Sequence, residues 1–208
     1  MAVSSDAWSG PRPHPGNLRE VAERIEKATG LRVQIVGGKL VLSPTPGGKH
    51  AGVVHQTRHR IGGVLPERLG AFEVSSIALP DDPDDYVTPD LIVLPMEWTE
   101  DDDWLAAPED TALAVEVISA SEKSREIRDK ADRYAVARVP VLLVVDPRHG
   151  TRALHTRPDN GACQDMLSGK YGETVPLFEP LGIEVATDGF PVHGEPPRSP
   201  GRLTDKSQ

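Results

Sequence analysis

Three charged residues in the middle of the chain have side chains of the types that bind a divalent cation and act on a phosphate. Asp90 follows a proline in the run TPDLIVL, and Glu116 lies among apolar residues in TALAVEVIS. A strand covered on both faces excludes an unpaired carboxylate, because an isolated charge in low dielectric is very costly. Mg²⁺ and Mn²⁺ take oxygen ligands, often one or two carboxylates together with waters and substrate phosphate. We therefore predict that Asp90 and Glu116 bind Mg²⁺ or Mn²⁺, and that this cation compensates the buried charge of Glu116.

A lysine on the following predicted helix extends this group. Residues 122–137 have helical spacing, and Glu126, Lys130 and Tyr134 form one i, i+4 stripe beside an apolar stripe. Lys130 therefore borders the core, and its long side chain is expected to reach toward Glu116. There it would orient an attacking water or stabilise charge that develops on a phosphoryl oxygen.

Each of the three residues also has a structural interpretation. Glu116 could be a strand-edge glutamate in an ion pair with Lys130, since structural ion pairs also hold buried charges. Asp90 could be a turn residue at the start of a strand. Lys130 could be an ordinary solvated helix lysine.

The elements that must position these side chains follow from hydrophobic periodicity. Residues 111–119 and 139–147 are apolar strands on either side of the helix, which predicts a βαβ unit with parallel strands. Residues 31–44 predict a hairpin around two glycines, residues 71–79 one strand, and residues 97–110 a long loop. Weaker strand signals follow in TRALHT, ETVPLF and GIEVAT. The predicted class is α/β or α+β, with one central mixed β-sheet flanked by helices.

The order of these motifs resembles a known family. PD at 89–90, VEVIS at 115–119 and KADRYAVARVPVLLVVDP at 130–147 are similar to the Uma-two-type family. RVQIVGGKLVLSPTPGGKHAGVV at 32–54 is similar to that family's N-terminal hairpin and following helix. The family is grouped with the restriction endonucleases of the PD-(D/E)XK nuclease superfamily. The resemblance covers residues 17–191 and implies a restriction-endonuclease-like fold and a metal-dependent DNA endonuclease.

The resemblance also implies roles for individual residues. Asp90 and Glu116 would be the metal-binding carboxylates, and the Val117 carbonyl a further ligand. The superfamily lysine normally stands two residues after the glutamate, where this chain has Ile118. The resemblance therefore implies that the basic group has moved to the helix as Lys130. Glu126, where the family commonly has an aspartate, would position Lys130 or a metal-bound water.

One departure from the family pattern supports a different hypothesis. Gln34 stands where an acidic residue is usual, and a neutral amide binds metal less well than a carboxylate. The alternative is a catalytically inactive nuclease fold that serves as a binding or structural module. In that case Asp90, Glu116 and Lys130 would remain as an ion-pair network.

Histidines on the second predicted helix suggest two further possibilities. His50 lies on the inward side of this helix, where it is either a satisfied buried histidine or a residue at the border of the cleft. His55 and His59 have the i, i+4 spacing of a helical zinc pair. The zinc-protease motif requires a glutamate where Gln56 stands, and an amide cannot act as a general base.

Composition predicts a soluble domain with two flexible ends. The net charge of −9 arises locally, because residues 81–103 contain ten acidic and no basic residues, and the remainder holds 22 acidic against 23 basic residues. A single cysteine and the absence of a long apolar run favour a cytoplasmic protein without a membrane segment. We expect a flexible segment at 1–16, the nuclease-like domain at 17–191 and a disordered tail at 192–208. DNA is the expected partner, and cleavage of both strands would favour a homodimer.

Overall fold

The structure is a computed structural model that describes residues 18–43, 47–73, 75–80, 82, 84–100 and 102–194. The predicted flexible segment 1–16 and residues 195–208 of the predicted tail lie outside the described residues. The Lys49 ammonium donates to the Val192 carbonyl at 2.7 Å, and the His193 N–H donates to the Pro147 carbonyl at 2.7 Å. Both contacts lie just past residue 191, the predicted end of the domain.

Helices form where apolar residues recur at helical spacing. The described residues form three α-helices: α1 (Leu18–Thr29), α2 (Gly48–Gly62) and α3 (Ser124–Val136). Each has buried residues on the side that faces a sheet, such as Val53 and Val54 on α2. No helix in the described part of the chain combines the length and the apolar character needed to cross a membrane.

The strands of the described residues form two main sheets and a two-stranded hairpin of β12 and β13. These strands are β1 (Arg32–Val36), β2 (Lys39–Ser43), β3 (Leu69–Phe72), β4 (Ser76–Ala78), β5 (Tyr86–Val87), β6 (Leu91–Pro95), β7 (Leu105–Ala106), β8 (Leu113–Val117), β9 (Val141–Asp146), β10 (Thr151–Asp159), β11 (Ala162–Lys170), β12 (Val175–Leu177) and β13 (Ile183–Val185). The six-stranded sheet has the order β11-β10-β9-β8-β6-β3, and the five-stranded sheet has the order β2-β1-β5-β4-β7. Strands β8 and β9 are parallel, as the predicted βαβ unit requires, whereas β6 and β8 are antiparallel. The predicted α+β class with a mixed, helix-flanked sheet is therefore confirmed.

Some sequence expectations about the strands were wrong. The predicted strand at 71–79 is two strands in different sheets, because Phe72 of β3 pairs with Ile92 while Ile77 of β4 pairs with Val87. The described part of the chain thus has two main sheets where one was predicted. The predicted loop at 97–110 contains two short 3-10 helices and β7. Strand β11 was missed because its exposed sequence lacks apolar alternation, and pairing with β10 defines it instead.

Strand β8 lies at the centre of the core and is buried along its whole length. Leu113, Val115 and Val117 pack on the side of α2, in a cluster that contains Val53 and Val54. Ala114 and Ile118 pack on the opposite side, in a cluster that contains Ala131 and Tyr134 of α3. Because side chains alternate along a strand, Glu116 faces the α3 side together with Ala114 and Ile118.

Candidate active site

The predicted site residues meet at one edge of the six-stranded sheet. Asp90 immediately precedes β6, and Glu116 lies near the end of its antiparallel neighbour β8, so the two positions come together where one strand starts and the other ends. A cavity of about 600 Å³ opens at this edge. Seven of the residues singled out in the sequence line it: Gln34, His50, Asp90, Glu116, Val117, Glu126 and Lys130.

Asp90 is a buried carboxylate that is held by three neighbours. The Val117 N–H donates to its Oδ2 at 2.8 Å, His50 Nε2 lies 3.3 Å from the same oxygen, and Arg32 Nη1 lies 3.4 Å from its Oδ1. Burial raises the pKa of Asp90, but the hydrogen bonds from His50 and Val117 and the nearby positive charges hold it below its ordinary value. Asp90 is therefore ionised at neutral pH.

Glu116 is more deeply buried, with 4 % of its surface exposed. Its Oε2 accepts a hydrogen bond from Lys130 Nζ at 2.9 Å, and its Oε1 accepts one from the Tyr134 hydroxyl at 2.6 Å. Burial raises the pKa of Glu116 and the charge of Asp90 adds to this effect, whereas the Lys130 ammonium opposes it. The ion pair with Lys130 that the sequence suggested is thus present, and it uses one oxygen of the carboxylate.

Lys130 lies between two carboxylates. Its Nζ is 2.9 Å from Glu116 Oε2 and 2.9 Å from Glu122 Oε1. Burial lowers the pKa of Lys130, but the charges of Glu116 and Glu122 outweigh burial and raise it above its ordinary value. The side chain is consequently an ammonium at neutral pH, which can donate hydrogen bonds and stabilise negative charge but cannot accept a proton.

Glu126 has a different contact from the one predicted. Its Oε2 accepts a hydrogen bond from the Lys123 N–H at 2.9 Å at the start of α3. An acceptor is favoured there because the first N–H groups of a helix have no partner within it. The carboxylates that contact Lys130 are those of Glu116 and Glu122, so Glu122 takes the place beside this lysine that was expected for Glu126. Glu126 still lines the cavity, and its predicted role toward a bound water stays a prediction.

His50 borders the cavity and is also buried. Its Nε2 is 2.8 Å from the Val117 carbonyl oxygen, so this nitrogen carries a hydrogen and donates it. Burial lowers the pKa of His50, but the hydrogen bond and charge of Asp90 raise it above the ordinary value. His50 therefore already uses the carbonyl that the resemblance implied as a metal ligand. That oxygen has a second lone pair for another partner.

The remaining predicted residues are divided between the cavity and the surface. Gln34, which is buried in β1, brings the five-stranded sheet to the cavity wall. His55 and His59 are exposed on α2 and lie outside the cavity. Among the residues that the structure describes, no three His, Cys, Asp or Glu side chains are arranged to hold a metal. The zinc pair thus has no third ligand in the described chain.

No role was assigned from the sequence to four residues of the site, which are Arg32, Glu122, Arg133 and Tyr134. Arg32 and Glu122 form ion pairs with Asp90 and Lys130, respectively. Tyr134 was placed on the same helical stripe as Lys130, and the i, i+4 spacing was the signal for their shared partner. Arg32 lies two residues before Gln34 on β1, and this alternation was the available signal for its position.

Comparison with solved structures shows that the fold of this chain occurs in another protein. The chain is similar to a solved structure described as "a putative nuclease belonging to DUF820" from Anabaena variabilis ATCC 29413, with a TM-score of 0.57 and 19% identity. The alignment covers 71% of this chain and 82% of that one, and at this identity it shows a shared fold. A comparison with curated proteins gave no match.

A family profile gives the closer assignment. The profile of the Uma2 family, described as "putative restriction endonuclease", matches residues 19–188. The match includes every predicted site residue. The chain therefore belongs to the Uma2 family, as the resemblance of its motifs implied.

Proposed function

We propose that this protein is a divalent-cation-dependent endonuclease that hydrolyses phosphodiester bonds in DNA. The observation that carries the proposal is the meeting of Asp90, Glu116 and Lys130 at one cavity, although they come from three separate elements. Membership of a family described as restriction endonucleases supports the same class of reaction.

The donor set of the cavity fits Mg²⁺ or Mn²⁺. Asp90 and Glu116 offer carboxylate oxygens, and Val117 offers a carbonyl oxygen, all at the same cavity. A carboxylate has about four lone-pair sites on its two oxygens, so Asp90 Oδ1 and both oxygens of Glu116 keep a site for a cation beside their present partners. Magnesium usually keeps several waters and takes only one or two protein carboxylates. Two carboxylates therefore suffice without the three-residue cluster that the described residues lack.

The cation would neutralise charge on the phosphoryl oxygens and lower the pKa of a water molecule. Asp90, with its lowered pKa, supplies a permanent negative charge to hold the cation. The raised pKa of Lys130 keeps it protonated, so it cannot act as a base. Its role is to donate hydrogen bonds to the attacking water or to the reacting phosphate. Tyr134 and Lys130 fix the rotamer of Glu116.

The direct test is cleavage of supercoiled plasmid and of labelled duplex and single-stranded oligonucleotides, with Mg²⁺, Mn²⁺ or EDTA. We expect nicking or cutting that requires the cation and is lost in Asp90→Asn, Glu116→Gln and Lys130→Met. Asp165→Asn removes an exposed carboxylate that pairs with Arg157 outside the cavity, and it should retain activity. Cleavage that persists in Asp90→Asn and Glu116→Gln would reject the proposed site. A two-fold dimer, if present, would place two sites for the two strands of a duplex.

The inactive module remains a second candidate because of one feature of the cavity. Both oxygens of Glu116 have hydrogen-bond partners within the protein, and Lys130 is bound by two carboxylates. Such a closed network could persist as structure alone. Binding of nucleic acid without cation-dependent cleavage of any substrate, together with unchanged thermal stability in Mn²⁺, would favour this candidate.

A further inference from the structure

The cavity has walls of opposite chemistry. One wall is α3, which contributes Lys130 and Arg133, and the other is β2, which contributes Val41 and Leu42. The floor contains the buried carboxylates Asp90 and Glu116. Val41 pairs with Gln34 across the β1–β2 ladder, so its side chain lies on the same face of the sheet as Gln34 and offers apolar surface to whatever enters the cavity.

Arg133 differs from the other cations of the cavity in its partners. Arg32 is in an ion pair with Asp90, and Lys130 is in ion pairs with Glu116 and Glu122. Within the described residues, the half-buried Arg133 guanidinium forms no hydrogen bond or ion pair. An arginine that lines a cavity with its five donors unused is suited to a planar anion such as a phosphate diester.

We propose that the cavity binds an unpaired stretch of a polynucleotide, with a backbone phosphate at Arg133 and a base packed against Val41. The proposal rests on the proposed nuclease function only in taking this cavity as the substrate site. A volume of about 600 Å³ is in the range of small-ligand sites. In a duplex the base faces are stacked on their neighbours, whereas an unpaired strand presents a base face and a phosphate together. Arg133 on one wall suits the phosphate, and the apolar surface of β2 on the other wall suits the base face.

The charge of the cavity favours the same substrate. Its lining contains five carboxylates, Asp90, Glu116, Glu122, Glu126 and Asp129, and three permanent cations, Arg32, Lys130 and Arg133. A duplex carries a denser line of phosphates than a single strand, so this excess of negative charge repels the duplex more strongly. The apolar contact at Val41 adds affinity that does not depend on charge.

The test is fluorescence anisotropy in EDTA with a short fluorescein-labelled single strand of DNA, its matching duplex, and an abasic oligomer of the same length. We expect the single strand to bind more tightly than the duplex. Arg133→Gln should weaken single-strand binding by on the order of tenfold and lower the slope against log salt by about 0.7. Val41→Thr should weaken it by about fivefold without changing that slope, and should leave abasic binding unchanged.

The matched control is Arg128→Gln, which makes the same charge change on an exposed residue of α3 outside the cavity. Equal effects of Arg128→Gln and Arg133→Gln would overturn the proposal, because they would indicate general attraction to a basic helix. Tighter binding of the duplex would overturn it while leaving cation-dependent cleavage intact. Single-strand binding without cleavage would support it and reject the catalytic proposal instead. Failure to bind any of the three probes would overturn it, and the plasmid-cleavage assay with Mg²⁺ or Mn²⁺ would then decide the catalytic proposal by itself.

Discussion

Two groups of charged residues lie near the ends of the parallel strands β8 and β9, and they are built differently. At the end of β9, Asp146 accepts hydrogen bonds from Arg148 Nε at 2.9 Å, Arg148 Nη2 at 2.7 Å and the Arg148 N–H at 2.9 Å. His149 Nδ1 adds a contact at 3.1 Å. All the partners of this carboxylate come from the next three residues of the chain.

At the end of β8, by contrast, the charges are shared between distant elements and do not balance. Glu116 obtains its cation from α3, and that cation is shared with Glu122. The cavity lining has more carboxylates than permanent cations. A carboxylate that is paired locally, such as Asp146, needs no role beyond stabilising the fold. The excess of carboxylates around the cavity is what the proposed cation site requires. Arg148 joins the two groups, because its Nη1 also donates to the Glu122 carbonyl.

The largest effect is expected for Lys130→Met. This change leaves two buried carboxylates, Glu116 and Glu122, without their shared cation, and removing one partner of a buried ion pair is strongly destabilising. We expect the free energy of unfolding in urea to fall by about 3 kcal/mol. Arg24→Ala, which breaks an exposed pair with Glu20, should change it by less than about 0.5 kcal/mol. Equal losses of unfolding free energy in the two variants would contradict the expected difference between the buried ion pairs of Lys130 and an ordinary surface ion pair.

A smaller effect with a defined pH dependence is expected for Asp146→Asn. Burial raises the pKa of Asp146, but the hydrogen bonds from Arg148 and His149 lower it from 3.8 to about 2. The folded state therefore favours the ionised form, and the stabilisation is complete above about pH 4 and lost as the pH falls toward 2. The variant should lose about 1 to 2 kcal/mol at neutral pH, the lower value allowing for screening by solvent.

Chemical unfolding of the parent and Asp146→Asn across this pH range measures the difference. The two curves should converge at the acidic end and separate above it. Affinity for Mn²⁺ should be the same in both proteins, because Asp146 does not line the proposed metal-binding cavity. A constant difference at all pH values would contradict the assignment of the stabilisation to the Asp146 carboxylate.

The smallest effect is expected for Tyr134→Phe. The variant removes the hydroxyl that donates to Glu116 Oε1 at 2.6 Å and leaves Lys130 as the remaining hydrogen-bond donor to this carboxylate. Loss of one such hydrogen bond should cost about 1 kcal/mol, measured by urea unfolding. Phe has the same shape as Tyr without the hydroxyl, so packing of α3 is retained. An unchanged stability would show that water replaces the hydroxyl and that Glu116 is less enclosed than its contacts indicate.

The sequence predicted the parts of the site that depend on residue type and local period. Glu116 is conspicuous because a carboxylate interrupts an apolar strand, and Lys130 because it lies on the helical stripe that borders the core. The ion pair between Lys130 and Glu122 was not predicted, since it depends on how the turn before α3 folds back. That Arg133 has no hydrogen bond or ion pair among the described residues depends on the positions of all its neighbours, and one-dimensional periodicity carries no such information.

The fold shows the same limit. The βαβ unit was predicted because β8 and β9 are apolar runs on either side of an amphipathic helix. The division into two sheets was not, because a strand's period is the same in whichever sheet it pairs. Strand β11 is defined by its backbone pairing with β10, and its side chains are mostly exposed.

Titration of the purified protein with Mn²⁺ in a calorimeter, alongside Asp90→Asn and Glu116→Gln, tests the proposed metal site most directly. Both variants keep the shape of the replaced side chain while removing its charge. We predict binding of Mn²⁺ to the parent protein and loss of that binding in each variant. Absence of binding in the parent, with or without DNA, would contradict the metal site and leave Asp90, Glu116 and Lys130 as a structural network.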